Sequence, residues 1–278
     1  MILIDLSQFM ISSVYVQIGN TKAVEVDEDL LRHILLSSLR TVKTKYKDYG
    51  NVVIACDDKN YWRKDIFPYY KANRKKSRED SGLDWAQIFG CLDKFKQEFR
   101  EYFPYKVIQV PNAEADDIIA VLTKHYHAEQ ILIASSDKDY QQLQVYPFVK
   151  QYSPVMKKEI VCSYPEQYLL EHIIRGDSGD GVPNCLSPDN TFVLGLRQKP
   201  LTSKRIAAIA YDPMAVEEEV KRNFLRNKTL IDFNQIPKQI EDQIIEQFES
   251  QSFGDRSKLF NFFIEKRLKG LMESIQDF

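Results

Sequence analysis

The chain has 278 residues, 44% of them hydrophobic and 28% charged. That is enough apolar matter for a sizeable core, and it excludes a single small module or bulk disorder. A net charge of −2 excludes a uniformly basic nucleic-acid coat, though not local segregation of charge.

Short apolar runs at 1–4, 52–56, 106–110 and 131–134 read as buried strands, each bounded by polar residues. Between the first two, Leu30, Leu31, Ile34, Leu35 and Leu39 fall on one face of a helix expected over 29–46. A second helix is expected over 115–126, with Asn112 after Pro111 as its N-cap. Strands alternating with helices predict an α/β domain with a parallel-rich sheet. Runs at 148–152 and 159–161 are expected to pair as edge strands around Ser153 and Pro154, and from about Tyr164 the pattern is helical. We therefore expect a first domain over 1–172 and a smaller helical one over 173–278. No run approaches the roughly 18 apolar residues of a membrane span. The start lacks the basic flank of a secretory signal. Cys56, Cys91, Cys162 and Cys185 are too scattered for a disulfide framework or zinc knot, so a cytoplasmic setting is expected.

Acids collect where these strands end. The first strand runs into Asp5, the second into Asp57, and the fourth through Ser135 and Ser136 into Asp137 and Asp139. Glu114, Asp116 and Asp117 open the helix after the third strand, and Asp177 and Asp180 follow in a Gly-rich turn. Each acid alone is an ordinary cap or turn residue. Together they would share the crevice at the carboxyl ends of a parallel sheet. Carboxylates packed so closely raise one another's pKa unless cations sit among them. Oxygen donors without Cys or His select Mg²⁺, with Mn²⁺ as a substitute. Two such ions are suited to phosphodiester cleavage.

Directly after Asp57 comes a basic, aromatic segment. Lys59, Arg63, Lys64, Lys71, Arg74, Lys75, Lys76 and Arg78 stand against only Asp65, interleaved with Tyr61, Trp62, Phe67, Tyr69 and Tyr70. Cations for phosphates and rings for bases are what gripping a nucleic-acid strand requires. With so few aliphatic residues, the segment is expected to bury little and to be mobile without nucleic acid.

The ordered set Asp5, Asp57 with its basic arch, Glu114/Asp116/Asp117, Asp137/Asp139 and Gly176/Asp177/Asp180 resembles the metal-dependent 5′ nucleases of the flap endonuclease family. Tyr61, Trp62 and Arg63, then Tyr69, Tyr70, Lys71 and Arg74, and the tail from Ser274 to Phe278, look like its T-even phage branch. The resemblance spans nearly the whole chain. It implies a PIN-like nuclease domain with a helical arch at about 59–92, and a helical second domain bearing a helix–three-turn–helix-like element. It implies metal-site roles for Asp5, Asp57, Glu114, Asp116, Asp137 and Asp139, with Asp117, Asp177 and Asp180 as further, partly water-mediated ligands. It assigns Lys71 to the scissile phosphate, with Arg63 and Arg74 as helpers and Tyr69 or Tyr70 as the base-stacking group. Lys75, Lys76, Arg78, Lys204 and Arg205 are expected to hold DNA. One departure is clear. The usual Gly-Asp-x-x-Asp-Asn-Ile-Pro-Gly ends here in Gly181, Val182, Pro183 and Asn184, and no tight Gly-x-Gly hairpin follows.

The expected activity is that of a 5′-to-3′ exonuclease and flap endonuclease using two Mg²⁺ ions. It would remove RNA primers and adjacent DNA during replication, with ribonuclease H-type cleavage of RNA–DNA hybrids. Flapped or nicked duplex DNA and RNA–DNA hybrids are the expected substrates, for a monomer in the host cytoplasm if phage-encoded. The alternative is a non-catalytic DNA-junction binder with a structural cation. The chain opens at its first strand, so no preceding segment holding a clamp-binding peptide is expected. Near the other end, Arg256, Lys258, Lys266, Arg267 and Lys269 face only Glu265, amid Leu259, Phe260, Phe262, Phe263, Ile264 and Leu268. Those rings are expected to close the core of the small domain, or the basic face to dock the acidic tail of a replication single-stranded-DNA-binding protein.

Overall fold

The computed structural model describes residues 1–21 and 25–278. Strand β1 (Ile2–Asp5) is buried at every position, and its side chains alternate between two cores. Ile2 and Ile4 face one apolar cluster, Leu3 the other. That is how a strand covered on both faces reads as a continuous apolar run. Helix α1 (Leu6–Thr21) follows with no loop. The sequence reading missed it because Ser12, Ser13, Val14 and Val16 are weak helix formers. Its stability comes from burying Leu6, Phe9, Met10 and Val14 at helical spacing. Helix α2 (Glu28–Lys45) begins at Asp27, whose carboxylate accepts from the N–H of Asp29 and of Leu30.

Strand β2 (Val52–Ala55) leads into the region expected to be the arch, which forms α3 (Trp62–Ile66), α4 (Asn73–Asp80) and the start of α5 (Trp85–Tyr102). Strand β3 (Lys106–Ile108), α6 (Ala115–His125) and β4 (Ile131–Ala134) complete the expected alternation. Asn112 is not the cap of α6. It sits in a left-handed turn at φ 61°, and Glu114 caps the helix, with the Asp117 side chain closing a reciprocal box onto the Glu114 N–H. Strands β5 (Val149–Ser153) and β6 (Lys158–Ile160) pair with each other as expected, antiparallel, but β5 also pairs in parallel with β4, so of the two only β6 is an edge strand.

The strand order is β3-β2-β1-β4-β5-β6, parallel through β5. The order reverses between β1 and β4, so a crevice opens at their carboxyl ends. Helices α1, α2 and α5 cover one face and α6 the other.

Helix α7 (Pro165–Arg175) spans position 172 without a break. With α8 (Ser203–Tyr211) and α9 (Glu218–Ile231) it builds a third apolar cluster, joined by Phe67 and Tyr70 from the basic segment. Helix α10 (Lys238–Ser250) returns to the sheet and packs Ile240, Ile244 and Phe248 with α6. The final helices α11 (Leu259–Glu265) and α12 (Lys269–Met272) also return. Phe262, Phe263 and the terminal Phe278 pack around Phe103, with ring centroids 5.4, 6.4 and 6.0 Å away. Phe262, Phe263 and Phe278 therefore close the core on one face of the sheet, not that of the small domain, while Phe260 stays exposed. The four cysteines are all free, and among the described residues no helix is long and apolar enough to cross a membrane.

Candidate active site

Asp5 ends β1 and is held by the N–H of Gln8, 3.0 Å from Oδ1, at the first turn of α1. Asp57 follows β2; the N–H of Ala115 donates to its Oδ1 over 2.9 Å and the Ser7 hydroxyl to its Oδ2. Asp137 lies beyond β4, with its Oδ1 accepting from the N–H of Asp139 over 3.0 Å. Tyr140 bridges strand ends: its hydroxyl donates to Asp116 and lies 3.4 Å from Asp5. Burial and repulsion act on the same acids. Burial first, then Asp57, pushes Asp5 up to about 7. Burial and Asp139 push Asp137 up to about 6. Asp116 is raised well above the carboxylate range by burial, Asp137 and Asp5. Three acids that resist ionisation together form a site whose missing term is positive charge. The donors are mostly oxygen, and they fit a divalent cation.

The neighbouring acids are already paired. Arg63 is buried to 2% exposure. Its Nη1 lies 2.8 Å from Glu114 and 2.8 Å from Asp117, and its Nε donates to the Leu230 carbonyl over 2.8 Å. The Trp62 indole N–H donates to Asp117 over 3.1 Å. Lys71 Nζ meets Glu114 and lies 3.7 Å from Asp180. Burial favours the neutral form of Glu114, but Lys71 and Arg63 outweigh it and bring this acid down to about 2. Arg74 pairs with Asp180 at 2.5 Å.

The basic segment buries more than its composition implies. Trp62, Phe67 and Tyr70 are buried, and the Tyr70 hydroxyl lies 2.8 Å from Asp180 and 3.0 Å from Glu114, within reach to donate to either. The Lys71 N–H donates to the Asp180 carbonyl over 2.7 Å. Gly181 permits this approach, since a Cβ there would lie 3.0 Å from the Tyr69 carbonyl oxygen. Of the two tyrosines expected to stack on bases, Tyr70 has its ring in the apolar core and Tyr69 is half-buried against Phe67. Lys75 and Lys76 are exposed on α4, and Arg78 lies over the ring of Phe89. Lys204 is exposed at the start of α8, while Arg205 is paired with Glu217.

At the outer edge, a histidine that the sequence reading did not single out stands among the acids. His172 Nε2 lies 2.9 Å from Asp139 and 3.5 Å from Asp177. Burial favours its neutral form, but hydrogen bonds to Asp139 and Asp177 raise it to about 9. Asp177 is held well below the carboxylate range, burial being outweighed by His172 and by Lys138, 3.0 Å away. The sequence offered one signal. His172 lies four residues before Gly176, one helical turn back from the Asp177 loop. Ser7, Lys138 and Tyr140 were missed as well; no spacing distinguishes them from ordinary helix and turn residues.

Residues 1–172 match the family model described as 5′-3′ exonuclease, N-terminal resolvase-like domain, and residues 163–278 match T4 RNase H, C terminal. Ribonuclease H of Enterobacteria phage T4 is 35% identical over 99% of this chain and 95% of its own length. The exonuclease of Escherichia phage T7 is 32% identical over 41% of this chain and 37% of its own. Among solved structures, T5 5′-exonuclease with bound zinc superposes with a TM-score of 0.62 at 17% identity, covering 90% of this chain and 98% of that one. The bacteriophage T5 D15 flap endonuclease, in a complex with DNA and metal ions, also gives 0.62, at 17% identity, covering 90% of this chain and 99% of that one.

Proposed function

The chain belongs to the 5′–3′ exonuclease family and is a nuclease, and from that premise we propose that it is a Mg²⁺-dependent 5′ exonuclease and flap endonuclease. Its substrates are 5′ flaps, nicked duplexes and the RNA strand of RNA–DNA hybrids, as at replication primers. The observation that carries this reading is the cluster of Asp5, Asp116 and Asp137, each raised by burial beside other acids at the carboxyl ends of the strands. Asp5, Asp57, Glu114, Asp116, Asp137 and Asp139 would hold the cations, with Asp177 and Asp180 at the outer edge. Cations held there supply the positive charge that makes water a nucleophile at neutral pH and steadies the departing oxygen.

The chain's own side chains do the rest. Lys71, already beside Glu114, donates to the phosphate at the reaction centre, where charge grows in the transition state. Arg74, 44% exposed in its pair with Asp180, turns toward the same phosphate. Arg63 is enclosed by Glu114, Asp117 and Leu230, so its part is to hold Glu114 in place. Lys75, Lys76 and Lys204 take phosphates farther along the strand. The exposed Arg267 and Lys269 offer charge to an acidic partner, the tail of a replication single-stranded-DNA-binding protein. Cleavage of a 5′-labelled flap and of an RNA–DNA hybrid, with and without Mg²⁺, tests the proposal; binding without cleavage on both would reject it.

A further inference from the structure

The outer edge of the acid cluster carries a donor of a different kind. His172 projects from α7 with 7% exposure, and its ring lies nearly parallel to that of Tyr168, centroids 5.9 Å apart. That contact turns the edge bearing Nε2 toward the acids. One oxygen each of Asp139 and Asp177 and a nitrogen of His172 lie within 4.8 Å of one another. Asp177 is oriented as well: its Oδ1 accepts from the N–H of Gly179 over 2.8 Å, which leaves Oδ2 toward the imidazole. Simple neutralisation would need neither a buried ring nor this alignment, since Lys138 already stands 3.0 Å from Asp177.

We propose that His172 is a nitrogen ligand of the outer divalent-metal site, completing a mixed nitrogen–oxygen set with Asp139 and Asp177. The inference rests on reading the acid cluster as a metal site. Imidazole suits Zn²⁺ far better than Mg²⁺, which takes oxygen almost exclusively, and Mn²⁺ accepts a nitrogen donor more readily than Mg²⁺ does. The outer site of this chain therefore prefers Mn²⁺ to Mg²⁺, whereas the inner one, built on Asp5, Asp57 and Asp116, makes no such distinction. Neutral imidazole would offer Nε2, the atom already facing both carboxylates, as the ligating lone pair.

The test is pulsed electron paramagnetic resonance of the metal-free full chain titrated with Mn²⁺. The expected result is ¹⁴N modulation typical of a directly bound imidazole. In H172Q that modulation disappears and the site that gave it loses about tenfold or more in Mn²⁺ affinity, while Mg²⁺ affinity moves less than about threefold. Saturable Mn²⁺ binding without nitrogen modulation in the unmodified chain would overturn the inference and leave the carboxylate metal site standing. Modulation that survives in H172Q would also overturn it, by assigning the nitrogen to another histidine. An absence of saturable Mn²⁺ binding would remove the metal-site reading itself, and this inference with it.

Discussion

Replacing Arg63 by Met removes a guanidinium that hydrogen-bonds Glu114 and the Leu230 carbonyl and forms an ion pair with Asp117. Methionine fills much of the volume but leaves two carboxylates, both almost wholly buried, with less compensating charge. Breaking a buried pair from one side costs about 3–5 kcal/mol, because the remaining charge is stranded in low dielectric. Against a total stability of roughly 5–15 kcal/mol, that is a large fraction. The melting temperature should fall by about 10 °C. Lysine at the same position restores charge without the fork that reaches Glu114, Asp117 and the Leu230 carbonyl together, so Arg63→Lys should recover only part of the loss. Urea unfolding of the three proteins, followed by circular dichroism, gives the numbers. A loss below about 1 kcal/mol for Arg63→Met, with cleavage abolished in the folded variant, would refute the structural role and return Arg63 to the reacting phosphate.

Lys71→Ala should cut the single-turnover rate about 100-fold or more with DNA affinity nearly unchanged, whereas Lys75→Ala should weaken binding and flatten its salt dependence. Indistinguishable rates for the two variants would remove the assigned role of Lys71. Mg²⁺ should raise the melting temperature more at pH 8 than at pH 5.5. The folded chain keeps protons on Asp5 up to about 7 and on Asp137 up to about 6, so this pair favours folding at low pH and loses that contribution as pH rises to 7. Cations then replace the protons, and an equal rise at both pH values would contradict the account. Reversing Lys266, Arg267 and Lys269 to Glu should spare cleavage of naked flaps but abolish stimulation on DNA coated with the single-stranded-DNA-binding protein; unchanged stimulation would leave the segment purely structural.

The sheet was legible because doubly buried strands leave apolar runs that end sharply in acids, as at Ile4–Asp5 and Ala134–Asp137. Helix α1 was not, since Ser12, Ser13 and Val16 carry no helix signal and only the packing of Phe9, Met10 and Val14 decides. The acids themselves could be read from strand ends. Their partners could not. Arg63 was expected to help Lys71 at the phosphate, and only the folded chain brings it beside Asp117 and Leu230. His172 was legible only in part: its spacing placed it near the Asp177 loop, but nothing in the sequence joined it to Asp139, on the 3₁₀ segment after β4. Nor could the sequence tell that Phe262 and Phe278 would cross back to Phe103, because apolar rings do not name the core they join.

The most direct test of the central claim is gel analysis of a 5′-labelled flap substrate incubated with the intact chain, with its Asp57→Asn variant, and with EDTA. The account predicts short 5′ products with Mg²⁺ in the intact chain alone. It also predicts retained flap binding by the variant, since less negative charge faces the phosphates. Comparable cleavage by Asp57→Asn, or cleavage that persists in EDTA, would contradict the reading of the strand-end acids as the catalytic metal site.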